Sequence, residues 1–340
     1  MGNFNSLFGA TPTEENVAPA VESVVAPAVT EPVVEQTEEK PQYATKLSDV
    51  LGGMFNADGT VTPIEEAMQE VNTTDGSYEC ESVNVFDFIN INKSYGDFKL
   101  FENLNLTIKD FKDEGQFITF IGQSGCGKTQ LLKMIAGISK PDSGAIKLYG
   151  NDIKESDTIP MVFQQYSSFE WMTVLENVAL PMKLAGVDKK TREEKAMQLI
   201  KLVNLEGHEH KFCRYGVLSG GQLQRVSIAR SLACDSKLLM LDEYSSGLDY
   251  FTKFELQDLL LKIFNDRTID RTFLMVTHDI SEAVYLSNRI YVLEPNPCKI
   301  KEVIDIKFSQ PRTHAIRETQ EFKDYQSKIL AVLNETVSNK

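Results

Sequence analysis

The eight residues Gly122-Gln-Ser-Gly-Cys-Gly-Lys-Thr129 constrain this 340-residue chain more than any other stretch. They fit the pattern G-x-x-x-x-G-K-[ST], set between an apolar run (Phe117–Ile121) and a helix-like stretch (Thr129–Ala136). That is the strand–loop–helix setting in which the pattern cradles phosphate. Gly122, Gly125 and Gly127 let the backbone curl, so that the N–H groups of Gln123, Ser124, Cys126 and their neighbours turn toward phosphate oxygens. The helix that follows adds its partial positive N-terminus. Lys128 is expected to reach the β- and γ-phosphates of ATP, and Thr129 to hold Mg2+.

The net charge of −14 is unevenly placed. Residues 1–82 hold 15 acidic side chains and two lysines, so −13 of it belongs to an N-terminal extension. An acidic extension repels nucleic acid and anionic lipid, and no nucleic-acid partner is expected. Cys80, Cys126, Cys213, Cys234 and Cys298 are scattered, without a C-x-x-C pair. This fits a reducing compartment and neither a disulfide framework nor a zinc site. No run approaches 18 apolar residues, and no basic-then-apolar leader opens the chain. Neither a membrane span nor a secretory signal is expected.

Residues 1 to about 45 are rich in Ala, Val, Pro, Glu and Thr and keep no helical or strand period, as an extended arm would. Two short amphipathic pieces follow, Thr45–Leu51 and Pro63–Val71. From about Val83 the composition turns globular. Strands are predicted at Val85–Asn92 and Leu104–Lys109 around a turn at Ser94–Asp97, then at Ala145–Tyr149, Leu238–Leu241 and Thr272–Val276. A helix around Phe254–Phe264 separates the last two strands, and residues from about 170 to 235 read as mainly helical. Strands alternating with helices imply an α/β fold on a mostly parallel sheet.

The run Leu238–Leu241 ends in Asp242 and Glu243. A carboxylate at a strand's end suits Mg2+, which takes oxygen ligands and keeps water. Glu243, one residue on, is placed to orient or deprotonate an attacking water. Leu218-Ser219-Gly220-Gly221-Gln222, followed by the helix-like Leu223–Arg230, makes a second anion-binding helix start. Ser219 also reads as the N-cap of that helix. One nucleotide does not need two phosphate cradles in one chain. A dimer does, because each chain's second cradle can close over the other's nucleotide.

With these motifs in this order, Val83–Arg312 resembles an ABC-type ATPase subunit. The resemblance implies a P-loop NTPase fold of ABC type: a mostly parallel sheet core, an antiparallel β subdomain and an inserted α-helical subdomain at about 166–235. Residues 1–82 are then an acidic, mostly disordered extension, residues 83–312 the ATPase domain, and residues 313–340 a helical tail with an amphipathic stretch near Glu321–Leu333. It also implies roles. Tyr95 stacks on adenine, and Gln164 senses Mg2+ and the γ-phosphate while touching the membrane partner. Asp249, in Ser245–Asp249, links two active sites across a dimer, and His278 contacts the γ-phosphate.

A finer resemblance is to ATPase subunits of nitrate/sulfonate/taurine-type importers. It is carried by Trp171–Val178, Thr277–Ser287, Leu293–Ile300 and Gln310–Arg312. The sequence departs from the family where Tyr244, Tyr215 and Ser236 replace customary prolines and where Gln130 follows Thr129. No catalytic side chain is lost.

The implied activity is Mg2+-dependent ATP hydrolysis by two identical chains that drive a transmembrane permease from the cytoplasmic, inner face of the cell membrane. A solute-binding protein is a further expected partner. The alternative is a soluble ABC ATPase that clamps or remodels a macromolecule. The chain carries neither a long coiled-coil insertion nor a second tandem cassette, which favours transport.

Overall fold

The computed structural model describes residues 82–111, 115–153, 159–266 and 271–338. The acidic extension before Ser82, with its two amphipathic pieces and Cys80, lies outside the described residues.

Strands β1 (Ser82–Tyr95) and β2 (Phe98–Phe111) form a long antiparallel hairpin closed at Tyr95 and Phe98. They reach well beyond the two short strands the sequence pattern predicts. Alternation explains the pairing: Phe86, Phe88, Leu104, Leu106 and Ile108 are buried, while Thr107 and Lys109 face out. Register shifts bend the hairpin between Phe88 and Ile91, where Asn90 turns left-handed (φ 52°). β4 (Ser143–Leu148) and the short β5 (Asn151–Asp152) complete an antiparallel sheet in the order β2-β1-β4-β5.

The second sheet runs β10-β9-β3-β8-β7-β6. It contains β3 (Phe117–Gly122), β6 (Met161–Val162), β7 (Leu238–Asp242), β8 (Thr272–Thr277), β9 (Arg289–Glu294) and β10 (Lys299–Asp305). All its pairings are parallel except that of β10 with β9. Every residue of β3, β7 and β8 is buried, as in a parallel sheet covered on both faces. Ile118, Phe120, Met240 and Val276 share one core with α1 (Lys128–Ile135) and the hairpin. Phe117, Ile121, Leu241 and Met275 share the other with α5 (Tyr250–Phe264), α6 (Ile280–Leu286), α7 (Gln320–Ser338) and the helices below.

Between β6 and β7 lie α2 (Val174–Leu184), α3 (Lys189–Leu202) and α4 (Gly220–Leu232). The expected mainly helical block is three helices joined by an irregular link. Asn204, Gly207 and Gly216 adopt positive φ there and stop helix propagation, while Leu205, Cys213 and Leu218 still anchor the link in the core. Among the described residues, no helix is long and apolar enough to cross a membrane.

Candidate nucleotide site

β3 delivers Gly122 to the edge of the core. A β-carbon there would lie 2.8 Å from Cys126 Sγ and 3.1 Å from Leu293, so only glycine fits. Gly125 (φ 80°) and Gly127 (φ 103°) then turn the chain through left-handed conformations into α1. Cys126 N donates to Gln123 O at 3.2 Å and closes the loop. Lys128 Nζ arches back and donates to Gly122 O and Gln123 O, both at 2.9 Å. The phosphate loop is thus held by its own buried cation.

Thr129 Oγ1 donates to Asp242 Oδ1 at 2.9 Å, across the junction of α1 and β7. Burial raises the pKa of the Asp242 carboxyl; the Thr129 hydrogen bond opposes this, and the charge of Glu243 adds to it. A hydroxyl oxygen beside a carboxylate oxygen is a hard-oxygen pair, which fits Mg2+. Among the described residues, no cluster of three or more His, Cys, Asp or Glu is arranged to hold a metal. An ion at Thr129 and Asp242 would therefore take its remaining ligands from phosphate and water, as Mg2+ does in phosphoryl-transfer sites.

Glu243 leaves β7 in the left-handed region (φ 44°), an uncommon place for a glutamate. Its N–H donates to Val276 O at 2.9 Å, which fixes the turn. The turned-out carboxylate oxygen Oε2 lies 3.4 Å from Gln164 Nε2 and 3.5 Å from His278 Nδ1. Gln164 Nε2 also lies 3.3 Å from Ser246 Oγ. Segments following β6, β7 and β8 thus meet at the carboxyl ends of parallel strands, where open α/β sheets bind ligands.

The other predicted residues sit elsewhere. Ser219 and Gln222 form a reciprocal cap on α4: Gln222 N donates to Ser219 Oγ (3.2 Å) and Ser219 N to Gln222 Oε1 (2.9 Å). Gln222 Nε2 also meets His208 Nε2 at 3.0 Å. A β-carbon at Gly220 would collide with the Tyr166 hydroxyl, and one at Gly221 with the Thr252 methyl, so these glycines permit close packing within the chain. Asp249 caps α5, accepting from Thr252 N (3.1 Å) and Thr252 Oγ1 (2.6 Å). Tyr95 ends β1 with 54% of its surface exposed and Lys93 Nζ 5.6 Å from its ring centre. It is not a core aromatic, and its ring can accept a stacking partner.

Residues 101–246 match the ABC transporter family. An uncharacterized ABC transporter ATP-binding protein of Methanocaldococcus jannaschii is 42% identical over 240 residues, covering 70% of this chain and 86% of that protein. This chain belongs to the ABC transporter family. The aliphatic sulfonates import ATP-binding protein SsuB of Bacillus cereus is 39% identical to this ABC cassette over 239 residues, 70% of this chain and 90% of that one. A solved dimeric ATP-binding cassette, MJ0796, in a post-hydrolysis state with ADP and Pi, superposes with a TM-score of 0.56 at 30% identity. It covers 66% of this chain and all of that one. The α/β P-loop fold and the ATP-hydrolysing activity expected from the sequence are borne out.

Three features of this cassette escaped the sequence pattern. Ser246 touches Gln164, Tyr166 packs over Gly220, and Glu282 is a buried carboxylate behind the site. Each depends on contacts between distant segments, and no local motif signals them. Tyr244, the residue in a customary proline position, is fully buried. Burial and then the charge of Glu282 drive its hydroxyl pKa well above 10.

Proposed function

We propose that this cassette is the ATPase subunit of a membrane importer and that two copies close head to tail around two ATP molecules. The division of the site carries the reading. One half gathers at the strand ends, while the capped tip of α4 packs on Tyr166 and Thr252 instead. That tip is complete in itself and serves a nucleotide held by a second copy.

In this reading the amides of residues 122–127 and the Lys128 ammonium orient the β- and γ-phosphates, and Tyr95 stacks on adenine. Mg2+, held by Thr129 and Asp242 with Gln164 nearby, supplies charge neutralisation at the phosphoryl oxygens when bound. Glu243 Oε2 accepts a proton from the attacking water. His278 fixes the γ-phosphate. The second copy lends Ser219, Gly220, Gly221 and Gln222, and Asp249 crosses between the two sites. Positioning and electrostatics supply most of the acceleration, because phosphoryl transfer asks little covalent chemistry of a protein.

Exposed apolar side chains on the helical block support a permease partner. Trp171 and Tyr215 are 73% and 76% exposed, with Phe212 and Leu184 also exposed. Cys213 N donates to Met172 O at 3.0 Å, which sets the Trp171 and Phe212 segments side by side. This surface suits a cytoplasmic helix of a permease, with the cassette peripheral on the inner membrane face. In this reading the cargo is a sulfonate-class organic anion, in keeping with the name of the Bacillus relative, and a solute-binding protein delivers it. Residues 1–82 are the extension, 83–312 the cassette with its helical part at about 166–235, and 313–340 the tail.

Purification of tagged protein from membrane and cytosolic fractions tests the reading. A permease is expected to copurify from the membranes, and sulfonate-loaded binding protein to stimulate ATPase activity in reconstituted vesicles. Recovery from the cytosol alone, with full unstimulated activity, points instead to a clamp on a macromolecule.

A further inference from the structure

Behind the candidate catalytic residues lies a carboxylate with no part in the chemistry described so far. Glu282, in the first turn of α6, is 1% exposed. Its Oε1 accepts from Ser245 Oγ (2.7 Å) and Gln257 Nε2 (3.2 Å), and its Oε2 from Thr277 Oγ1 (2.6 Å). A buried carboxylate survives only if its oxygens are satisfied, and here three donors from three separate segments do so.

Those donors have telling places. Ser245 lies two residues beyond Glu243, and Thr277 immediately precedes His278. Gln257 belongs to α5, the helix capped by Asp249. Thr277 Oγ1 also accepts from Asp279 N at 3.1 Å, and Glu282 N donates to Asp279 Oδ1 at 3.1 Å. The segment around His278 is therefore tied to the base of α6 at both ends. Gln257 Oε1 in turn accepts from Arg317 Nη2, whose Nη1 donates to Ser281 Oγ at 3.1 Å. The chain of bonds runs from the C-terminal segment to the backs of the Glu243 and His278 loops.

We infer that Glu282 is a positioning residue for ATP hydrolysis: its two oxygens hold Ser245 and Thr277 together, and so set the spacing between Glu243 and His278. The inference rests on the assignment of those two residues to hydrolysis. Glu282 is buried behind the Glu243 and His278 loops and bonded to Ser245, Gln257 and Thr277. It acts by fixing two loops that belong to different strands and would otherwise move independently. Misplacement of a reacting group by about 1 Å costs on the order of 100-fold in rate. Loss of a hydrogen-bonded spacer of this kind reduces turnover while leaving the phosphate loop, which it does not contact, able to bind.

The test uses full-length Glu282→Ala, Thr277→Val and the double variant, with ATPase kinetics and fluorescent-nucleotide titration in parallel. Glu282→Ala is expected to lower kcat about tenfold or more, with nucleotide Kd within about twofold of the parent. Thr277→Val is expected to lower kcat in the same sense, and the double variant to be no worse than Glu282→Ala, because both remove one spacer. Full kcat in a folded Glu282→Ala protein overturns the inference. So does a parallel fall of kcat and affinity, or an additive double variant, each of which marks a general packing role. If Glu282→Ala does not fold, Thr277→Val and Ser245→Ala decide on the same kcat-against-Kd split. A Glu243→Gln control separates the levels. If it stays active, the underlying assignment fails; if it is inactive while the Glu282 variants turn over normally, only this inference fails.

Discussion

Glu243 Oε2 stands 3.5 Å from His278 Nδ1, although the two residues follow different strands of the parallel sheet. Gln164 Nε2, from a third segment, approaches the same oxygen at 3.4 Å. A carboxylate so placed is the natural acceptor for a proton from a water held beside the γ-phosphate. Glu243→Gln keeps the shape and removes the basicity. It is expected to cut kcat by about 100-fold or more while ATP still binds. Size-exclusion chromatography with ATP should then show an accumulated dimer. Full turnover by this variant would move the base elsewhere.

Lys128 holds two carbonyls of its own loop at 2.9 Å. Lys128→Ala leaves Gly122 O and Gln123 O without this donor and takes the cation from the phosphates. Hydrogen bonds to charged groups are each worth about 1.5–3 kcal/mol, so nucleotide affinity is expected to fall at least tenfold. Titration with a fluorescent ATP analogue measures it directly. Unchanged affinity would discredit the phosphate-loop assignment.

How much of this site was readable before folding depends on the range of the contact involved. The phosphate loop is a local device of three glycines, a lysine and a threonine, and it is legible as such. The capping box of Ser219 and Gln222 is equally local. The left-handed turn of Glu243 is not, because glutamate gives no sign of positive φ and the turn is imposed by Val276 from the neighbouring strand. β6 is two residues long, and the parallel pairing of Met161 and Val162 with Met240 and Leu241 makes it a strand. Periodicity cannot announce so short an element. Glu282 looks like any first-turn acid of a helix until Ser245, Thr277 and Gln257 are brought to it.

Asp279 gives a pH-dependent test of the segment around His278. Burial raises its carboxyl pKa, but the Lys253 ammonium and the N–H groups of Glu282 and Ser281 outweigh burial and hold it below the usual carboxylate range. The folded pKa therefore lies below the unfolded one. The linked stability is fully present above the unfolded value of about 3.9 and is lost as pH falls through the folded pKa. Asp279→Asn keeps a cap acceptor and removes the charge, so it is expected to cost about 0.5–1 kcal/mol at pH 7, where the pair is only partly shielded. Asp279→Ala also removes the α6 cap and is expected to cost about 1–2 kcal/mol. Urea unfolding at pH 7 and near pH 3 checks both. The Asn deficit should shrink at the lower pH, as the unfolded-state carboxyl takes up its proton first, and a deficit of the same size at both pH values would assign the loss to packing.

Cys126 carries the last prediction, because it sits inside the phosphate loop. A hydrogen bond from the Cys298 side chain holds its thiol below the usual range; burial opposes this and the nearby Lys128 charge assists. Cys213, buried under the helical block, is pushed up to about 12 by burial. Both are shielded from solvent, so loop opening scales the rate of alkylation, while the thiolate fraction sets its pH dependence. Peptide-resolved iodoacetamide labelling of nucleotide-free protein is expected to give a Cys126 midpoint below the ordinary thiol value, with Cys213 unreactive through the neutral range. ATP should slow the Cys126 reaction by closing the loop over phosphate. Cys298→Ala removes the stabilising donor and should shift the Cys126 midpoint upward, toward the ordinary thiol value of about 8.5. A wild-type midpoint already at that value would mean that the Cys298 contact does not stabilise the thiolate, and that Lys128 spends its charge on the loop carbonyls alone.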